Sequence, residues 1–417
     1  MPNAMNTPPR TGSSPLLTLD DALRRLLDAV GPVGAPETVS TFDARGRVLA
    51  HDVSSNLDIP SADNTSMDGY AVRCADVARA GVVLPVSQRI PAGTVGAPLV
   101  AGSAARIFTG ALVPAGADAV VMQEQCEALD GSVRIDTVPQ PGHWIRRRGE
   151  DVRSGSVVLP AGTRLTPQAL GMAASVGAGT LSVAPRPRVA LFSTGDELAM
   201  PGEPLKPGAI YNSNRYTLRG LIEALGCVCD DLGIVPDNLG ATRDALRRAA
   251  ASNDLIVTCG GVSVGEEDHL KPAVQAEGQL DLWQIAIKPG KPLAFGQVRR
   301  EGGAPAWFIG LPGNPVSSFI TFLLAVRPFL LKLQGATDLQ SRPIPMRADF
   351  DWPKPDRRRE FMRVRRNAQG GLDLFPNQSS GVLTSVVWGD GVIDNSPGQA
   401  IRAGEMVAYL PFAELLT

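Results

Sequence analysis

The chain has 417 residues, 44% hydrophobic and 20% charged, a balance typical of a globular protein with apolar material for several cores. Lysine and arginine number 40 against 42 aspartates and glutamates, and the net charge of −2 argues against a general nucleic-acid-binding protein. The 44 glycines and 35 prolines indicate many tight loops and short strands.

The first 185 residues combine two helical patterns with a long β-type pattern. Leucines at helical spacing predict a helix that opens at Thr18. From about 47 to 158, short β-branched runs are separated by glycine and proline, which indicates a β-rich domain inserted behind that helix. Thr166 and Pro167 predict a second helix with proline at its first position.

An alternation of strands and helices begins at Arg188 and continues to about Lys332. The sequence predicts strands at 188–193, 229–235, 254–259, 282–287 and 306–309, and helices at 213–225, 241–251, 270–276 and 315–332. This order is typical of a doubly wound α/β domain with a largely parallel sheet. After Gly335, strands predicted at 361–365, 372–375 and 405–410 indicate a small C-terminal β domain.

Residues suited to disulfides, metal clusters or membrane insertion are scarce. The five cysteines form no C-x-x-C pair, and three histidines are too few for a multi-histidine metal centre. Residues 1–15 are polar and proline-rich, without the apolar core of a signal peptide. The longest apolar stretch, 319–331, is interrupted by Arg327 and Pro328 and is too short to span a bilayer. These features predict a reduced cytoplasmic protein.

One candidate ligand loop follows the predicted strand 254–259. Gly260 and Gly261 would let a backbone approach a ligand closely, and a following helix start favours anions. Asp268 would repel a bare phosphate, which favours a bridging divalent cation. Alternatively, the glycines only form a tight turn and Asp268 only caps a helix.

Two further loops carry groups that suit an oxyanion. Lys288 and Lys291 lie three residues apart in a loop fixed by proline and glycine, so they could converge on one anion or be solvated surface lysines. Asn314 and Pro315 explain a helix start by themselves, whereas the hydroxyl of Ser317 in the first turn is not needed for capping.

Carboxylates beside glycines complete the set of candidate loops. They occur at 64–71, 148–152 and 193–198. The acids at 193–198 could coordinate a metal, bind a sugar or only place negative charge at a helix start. A threonine occupies the similar position at 107–111. No Cys/His or Ser/His pair accompanies these motifs, so they favour phosphate-ester or oxyanion chemistry organised by a divalent cation over nucleophilic hydrolysis.

Eight short stretches, which include the loops described above, occur in the order found in the molybdopterin molybdenumtransferase family and resemble it. This family includes bacterial MoeA and the E domain of gephyrin. The matching stretches are SMDGYA (66–71), FTGA (108–111), GEDV (149–152), STGDEL (193–198), YNSN (211–214), GGVSVGEED (260–268), IKPGKP (287–292) and LPGNPVSS (311–318). They extend over most of the chain, so the sequence is identified as a member of this family.

The resemblance implies a multidomain α/β plus β fold with four domains and an elongated homodimer. The expected domains are 16–52 with 145–185 for dimerisation, 53–144 for the inserted β-rich domain, 186–335 for the α/β molybdopterin-binding domain and 336–417 for the C-terminal β domain. Family members insert molybdenum from molybdate into adenylylated molybdopterin with Mg²⁺ and release AMP. Expected partners are the second subunit, molybdopterin adenylyltransferase and recipient molybdoenzymes, without nucleic acid or membrane.

The resemblance also assigns roles to individual residues. The expected catalytic residues are Asp68, Thr109, Asp151, Glu197, Asp237, Asp268, Lys288 and Lys291, with Glu197 and Asp268 as metal ligands. The expected substrate-binding residues are Gly260, Gly261, Ser263, Pro312, Asn314, Pro315, Ser317, Ser380 and an arginine, either Arg363 or Arg358. Asp68, Thr109 and Asp151 are expected to act across the dimer interface.

Two other functions fit parts of this pattern. An adenylyltransferase is one, because the α/β domain resembles that of the preceding step; the additional β domains and the IKPGKP loop argue against it. A scaffold protein is the other, since gephyrin uses this domain as one; the complete set of catalytic motifs argues against a scaffold alone.

Overall fold

A computed structural model describes residues 16–261 and 269–416 of the chain. The predicted start of the first helix is confirmed: α1 (Leu19–Asp28) follows Thr18, whose hydroxyl accepts a hydrogen bond from the Asp21 N–H at 3.0 Å. Such a cap satisfies one of the helix's free N–H groups. Leu19, Ala22 and Leu26 form the buried face of this helix.

The region up to residue 185 contains a six-stranded sheet, as the β-branched runs predicted. Its elements are β1 (Glu37–Ser40), β2 (Val53–Ser54), β3 (Asn64–Thr65), β4 (Gly69–Val72), β5 (Val82–Ile90), β6 (Ala104–Ile107), β7 (Ala119–Met122), β8 (Cys126–Leu129), β9 (Ser132–Ile135), β10 (Ile145–Arg146), β11 (Val157–Leu159), α2 (Pro167–Ser175) and β12 (Thr180–Val183). The sheet has the order β7-β4-β6-β5-β9-β8. Short antiparallel pairs β1–β12, β2–β11 and β3–β10 join the chain on either side of it.

The second region contains the predicted α/β sheet. Its elements are β13 (Arg188–Thr194), β14 (Leu198–Ala199), β15 (Ile210–Tyr211), α3 (Ser213–Ala224), β16 (Val228–Val235), α4 (Leu239–Ser252), β17 (Leu255–Cys259), α5 (Leu270–Glu277), β18 (Gly278–Gln284), β19 (Ile287–Lys288), β20 (Pro292–Val298), β21 (Ala306–Leu311), α6 (Pro315–Thr321) and α7 (Arg327–Leu333). The order is β16-β13-β17-β21-β20-β18, parallel in its first four strands. The predicted strand 282–287 is wrong in its bounds, because β18 ends at Gln284, and β20 was not predicted.

Successive side chains of each strand point to opposite faces of this sheet, so both faces are apolar and helices cover both. Leu191 faces the core that α1, α3 and the 315–333 helix build, whereas the adjacent Phe192 faces the core built by α4 and α5. The sheet is therefore doubly wound, as expected, and its strand ends are left free to form loops.

The helix after β21 is longer than the predicted apolar stretch. From Pro315 to Leu333 it runs for 19 residues, including a π-helical segment at Phe322–Val326, with a mean hydropathy of 1.7. By length and composition alone this helix could cross a membrane, whereas the predicted stretch 319–331 within it is too short to do so. Within the protein, 89% of its apolar window is buried, as in a core helix.

The C-terminal region forms a small closed β structure. Its elements are β22 (Ile344–Ala348), β23 (Arg359–Arg366), β24 (Gly371–Leu374), α8 (Thr384–Trp388), β25 (Gly391–Asn395), β26 (Met406–Pro411) and α9 (Phe412–Leu415). The order β23-β24-β22-β26-β25 is closed by a β23–β25 pairing. The sequence did not predict β22 or β25.

The C-terminal β structure is attached to the α/β region at two points. The ring of Phe412 packs edge-on against Phe319 of α6 at 5.3 Å between centroids. In addition, β19 pairs in parallel with β23, which sets Lys288 opposite Glu360. On its other side the same segment is held by Leu17, whose N–H donates to the Gln284 carbonyl at 2.8 Å. The segment that carries Lys288 is thus held by residues from an early part and a late part of the chain.

Candidate active site

A cleft of about 1060 Å³ lies where the α/β sheet meets the C-terminal β structure. The loops after β13, β17 and β21 form one part of it, at the carboxyl ends of parallel strands, where ligands bind in open α/β sheets. Residues 378–381 of the C-terminal region contribute another part. The predicted site residues that line the cleft are Glu197, Asp237, Gly260, Gly261, Lys288, Lys291, Pro312, Asn314, Pro315, Ser317 and Ser380.

A glycine and the side-chain amide of Asn214 hold the strand-end loops close together. Gly260 has a φ of 96°, and a Cβ there would lie 3.0 Å from the Thr194 carbonyl oxygen. The Asn214 amide nitrogen donates to the Gly313 carbonyl at 2.7 Å and to the Cys259 sulfur at 2.9 Å. The start of α3 is therefore bound to the two neighbouring loops of the sheet.

The loop before α6 begins that helix and also lines the cleft. Asn314 and Pro315 occupy the cap and first positions, as predicted, but the Asn314 side chain makes no capping hydrogen bond. The Val316 N–H instead donates to the Ser380 carbonyl at 3.0 Å, so the C-terminal loop is bound to this helix start. Ser317 is buried in the first turn and lines the cleft. Capping alone therefore does not account for this loop.

Three cationic side chains from two regions line the cleft: Lys288, Lys291 and Arg358. The Lys288 ammonium lies 3.2 Å from Glu360 Oε1 and 3.5 Å from Asp356 Oδ2. Arg358 binds both oxygens of Asp356, at 3.0 and 2.9 Å. This fork of donors holds the pKa of Asp356 well below its usual range. The cleft therefore presents fixed positive groups, as an oxyanion site requires.

Carboxylates line the cleft as well. Glu197, after β13, and Asp237, after β16, supply oxygen donors of the kind that Mg²⁺ prefers. Over residues 16–261 and 269–416, no group of three or more His, Cys, Asp or Glu side chains lies close enough to hold a metal ion. Ser263 and Asp268, the latter predicted as a metal ligand with Glu197, lie outside the described residues.

Of the two candidate arginines in the C-terminal region, Arg358 lines the cleft and Arg363 does not. Arg363 is only 1% exposed, and its guanidinium donates to the Phe361 and Ser379 carbonyls and to the Ser385 hydroxyl. Burial lowers the pKa of Arg363 to about 10. It therefore supports the loop that carries Ser379 and Ser380 and does not itself reach the cleft.

We expect Arg363→Ala to lower the free energy of unfolding of the C-terminal region by about 2 kcal/mol, because two buried carbonyls and a buried hydroxyl lose their donor. Urea denaturation followed by fluorescence of Trp352 and Trp388 would measure this change. Arg402→Ala, at an exposed position of the same region, is the control. Equal stability of the two variants would contradict the structural role of Arg363.

Three predicted residues lie before the α/β region and do not line the cleft of the same chain: Asp68, Thr109 and Asp151. Asp68 Oδ1 accepts hydrogen bonds from the Thr109 N–H at 2.8 Å and hydroxyl at 2.7 Å, which lower the pKa of Asp68. Asp151 lies in a separate loop, where its N–H donates to the Ile59 carbonyl. The structure thus brings Asp68 and Thr109 together, apart from the cleft.

Several lining residues were not predicted, among them Asn212, Asn214 and Ser379. The two asparagines lie in the YNSN stretch, which the resemblance already contained, so that motif was an available signal. Ser379 precedes the predicted Ser380 in a polar loop and had no distinguishing pattern.

Comparison with known proteins decides the family. The chain is 39% identical to the molybdopterin molybdenumtransferase of Haemophilus influenzae over 409 residues, which cover 96% of this chain and 100% of the relative. The chain belongs to the molybdopterin molybdenumtransferase family. It is also 40% identical to molybdopterin molybdenumtransferase 2 of Mycobacterium tuberculosis, over 73% of this chain and 76% of that protein. It is therefore a transferase of molybdenum cofactor biosynthesis.

Family profiles and a solved structure agree with this assignment. The MoeA N-terminal region (domain I and II) matches residues 17–177, the probable molybdopterin binding domain matches 190–332, and the MoeA C-terminal region (domain IV) matches 345–412. The crystal structure of the molybdopterin biosynthesis MoeA protein from Pyrococcus horikoshii superposes with a TM-score of 0.80 at 30% identity, covering 95% of this chain and 99% of that one. The predicted multidomain α/β plus β fold is confirmed.

Proposed function

We propose that this transferase inserts molybdenum from molybdate into adenylylated molybdopterin and releases AMP in a Mg²⁺-dependent reaction. The observation that carries the proposal is the cleft itself, which is lined by the cations Lys288, Lys291 and Arg358 and also by the carboxylates of Glu197 and Asp237. Molybdate is a tetrahedral dianion, and the second substrate carries a phosphoanhydride. A cleft with both cationic and carboxylate groups suits two such anions bound side by side.

The proposed role of the cations is to hold the oxyanion beside the dithiolene sulfurs. Lys288 and Lys291 supply charged donors, and the hydroxyls of Ser317 and Ser380 supply neutral ones, with Ser263 expected to add a third. Hydrogen bonds from charged donors in a protein cleft are stronger than in water because the local dielectric is lower. Of the two arginines expected from the C-terminal region, Arg358 is the one that lines the cleft and is the proposed third cation.

Glu197 is the proposed Mg²⁺ ligand within the described residues, together with Asp268 outside them. When bound, Mg²⁺ would neutralise charge on the anhydride oxygens. The chain's own residues would align the anhydride bond with the attacking oxygen, which comes from molybdate or from a water molecule beside it. The attacking oxygen bonds to the AMP phosphorus as the anhydride P–O bond breaks, and the terminal phosphate of molybdopterin is the leaving group. AMP is free at once when that oxygen comes from water. When it comes from molybdate, AMP is freed as the Mo–O bond breaks and molybdenum bonds to the dithiolene sulfurs. Loss of the anhydride makes insertion irreversible. Asp237 would orient the substrate from the neighbouring loop.

The proposed assembly is a homodimer in which each subunit contributes to the cleft of the other. Asp68 with Thr109, and separately Asp151, would complete the cleft of a second subunit in an elongated homodimer. The low pKa of Asp68 keeps its carboxylate ionised, as an orienting role requires. We also propose the four-domain division given above and a cytoplasmic location. The proposed partners are molybdopterin adenylyltransferase and recipient molybdoenzymes.

The deciding experiment is AMP release, measured by chromatography, from adenylylated molybdopterin mixed with the purified protein, Mg²⁺ and molybdate. We expect release to require the protein and molybdate together. Glu197→Gln should raise the Mg²⁺ concentration needed for half-maximal release, because it removes a charged ligand. Formation of the adenylate from ATP and free molybdopterin would instead support an adenylyltransferase. No AMP release by folded protein would contradict the proposal.

A further inference from the structure

A buried carboxylate outside the predicted set contacts Lys288. Glu360 of β23 is 2% exposed, and its Oε1 accepts a hydrogen bond from the Lys288 ammonium at 3.2 Å. Its Oε2 accepts from the Trp352 indole N–H at 2.9 Å and from the Asp356 N–H at 3.0 Å. Both oxygens are therefore occupied, and Oε1 is the one that faces the lysine.

Backbone pairing also holds Lys288 next to Glu360. Lys288 and Glu360 lie opposite each other in the parallel pairing of β19 with β23, and the Arg359 N–H donates to the Ala286 carbonyl at 2.9 Å. Lys288 itself is 38% exposed in its side chain and lines the cleft. A lysine side chain has a flexible four-carbon stem, so an exposed ammonium without such a contact samples many positions.

We propose that Glu360 is a positioning residue for the oxyanion: it holds the Lys288 ammonium at one place in the cleft, so that molybdate meets a preorganised donor. The inference rests on the proposed function, because it takes Lys288 as a molybdate-binding group. Glu360 does not touch the substrate. Its charge is partly balanced by the N–H groups of Trp352 and Asp356, which limits its repulsion of the incoming dianion.

The next residue on the strand supplies a matched control. Arg359 forms a bidentate ion pair with Asp394, at 2.6 and 2.5 Å, and neither residue lines the cleft. Asp394→Asn and Glu360→Gln each remove one negative charge from an ion pair of β23. A general loss of structure in this strand should affect both variants, whereas a positioning role should affect only Glu360→Gln.

The test is molybdate binding by equilibrium dialysis with the full-length protein, together with the molybdate dependence of AMP release. In Glu360→Gln, the amide oxygen still accepts from Trp352 and Asp356, while the amide nitrogen has no lone pair to offer Lys288. We expect molybdate affinity to fall about tenfold and the KM for molybdate to rise about tenfold. We expect kcat to stay nearly unchanged, because the backbone of the loop does not move in this variant and bound molybdate itself holds the ammonium. Glu360→Asp keeps the charge and should recover most of the affinity.

The outcomes separate this inference from the proposed function. Wild-type protein that binds molybdate without releasing AMP, with weaker binding in Glu360→Gln, would support the positioning role and contradict the proposed reaction. Equal binding by Glu360→Gln and Asp394→Asn would overturn the positioning role, as would tighter binding by Glu360→Gln, which would mean that the carboxylate only repels the dianion. Wild-type protein that neither binds molybdate nor releases AMP would overturn both.

Discussion

Replacing Lys288 with alanine is expected to reduce the rate of AMP release about 1000-fold, the loss typical of removing one preorganised oxyanion donor. The ammonium is fixed between Glu360 and Asp356, so its donor direction is set before the substrate arrives. Removal also leaves the two carboxylates without that cation beside an anionic substrate. The measurement is single-turnover AMP release with saturating molybdate and Mg²⁺.

Lys206→Ala is the matched control for this variant. Lys206 is exposed and lies outside the cleft, so the same change in charge and side chain should leave the rate unchanged. Both variants should keep the thermal unfolding of the wild type. A Lys288→Ala protein that releases AMP at the wild-type rate would remove Lys288 from the proposed mechanism.

Gly290→Ala is expected to reduce AMP release about 100-fold without touching either lysine, since small misplacements of reacting groups cost about that much. Gly290 has a φ of 113°, and a Cβ there would overlap the hydroxyl oxygen of the buried Thr321. Because α6 is packed in the core, the loop has to move instead. That movement displaces Lys288 and Lys291 on either side of the substituted residue.

The control for this variant is Gly208→Ala. Gly208 also has a positive φ, 85°, but a Cβ there meets no atom within 4 Å. The two variants share the backbone cost of alanine in a left-handed conformation, and only Gly290→Ala adds the collision. A loss of activity of the same size in both would mean that backbone strain, and not the position of the lysines, causes the effect.

Elements that carry their own start signals were predictable from the sequence. Thr18 and Thr166 each accept an N–H hydrogen bond from the first turn of their helix, and the buried strands of the α/β sheet form continuous apolar runs. The missed strands depend on distant partners. Pro292 begins β20 although the sequence indicated a loop, because pairing with β18 and β21 decides its conformation.

The candidate site was predictable where a loop follows a strand. Gly260 directly follows β17, Lys288 is the last residue of β19 and Ser317 lies in the first turn of α6, and all three line the same cleft. The choice between Arg358 and Arg363 was not predictable by the same reasoning. Charged residues on a strand are expected to be exposed, and Arg363 is buried only because carbonyl acceptors from residues 361 and 379 surround its guanidinium.

Ala286, two residues before Lys288, donates its N–H to the Leu17 carbonyl and accepts from the Arg359 N–H, so this segment needs contacts from an early part and a late part of the chain. Synthesis on a ribosome delivers residue 17 first and residue 359 near the end. The α/β sheet can therefore fold before the anion site exists, since domains fold as they emerge. A chain that terminates prematurely within the last sixty or so residues lacks Arg358 or its supporting sheet. The cleft that residues 358 and 378–381 help to line therefore forms only after the C-terminal β structure has been synthesised.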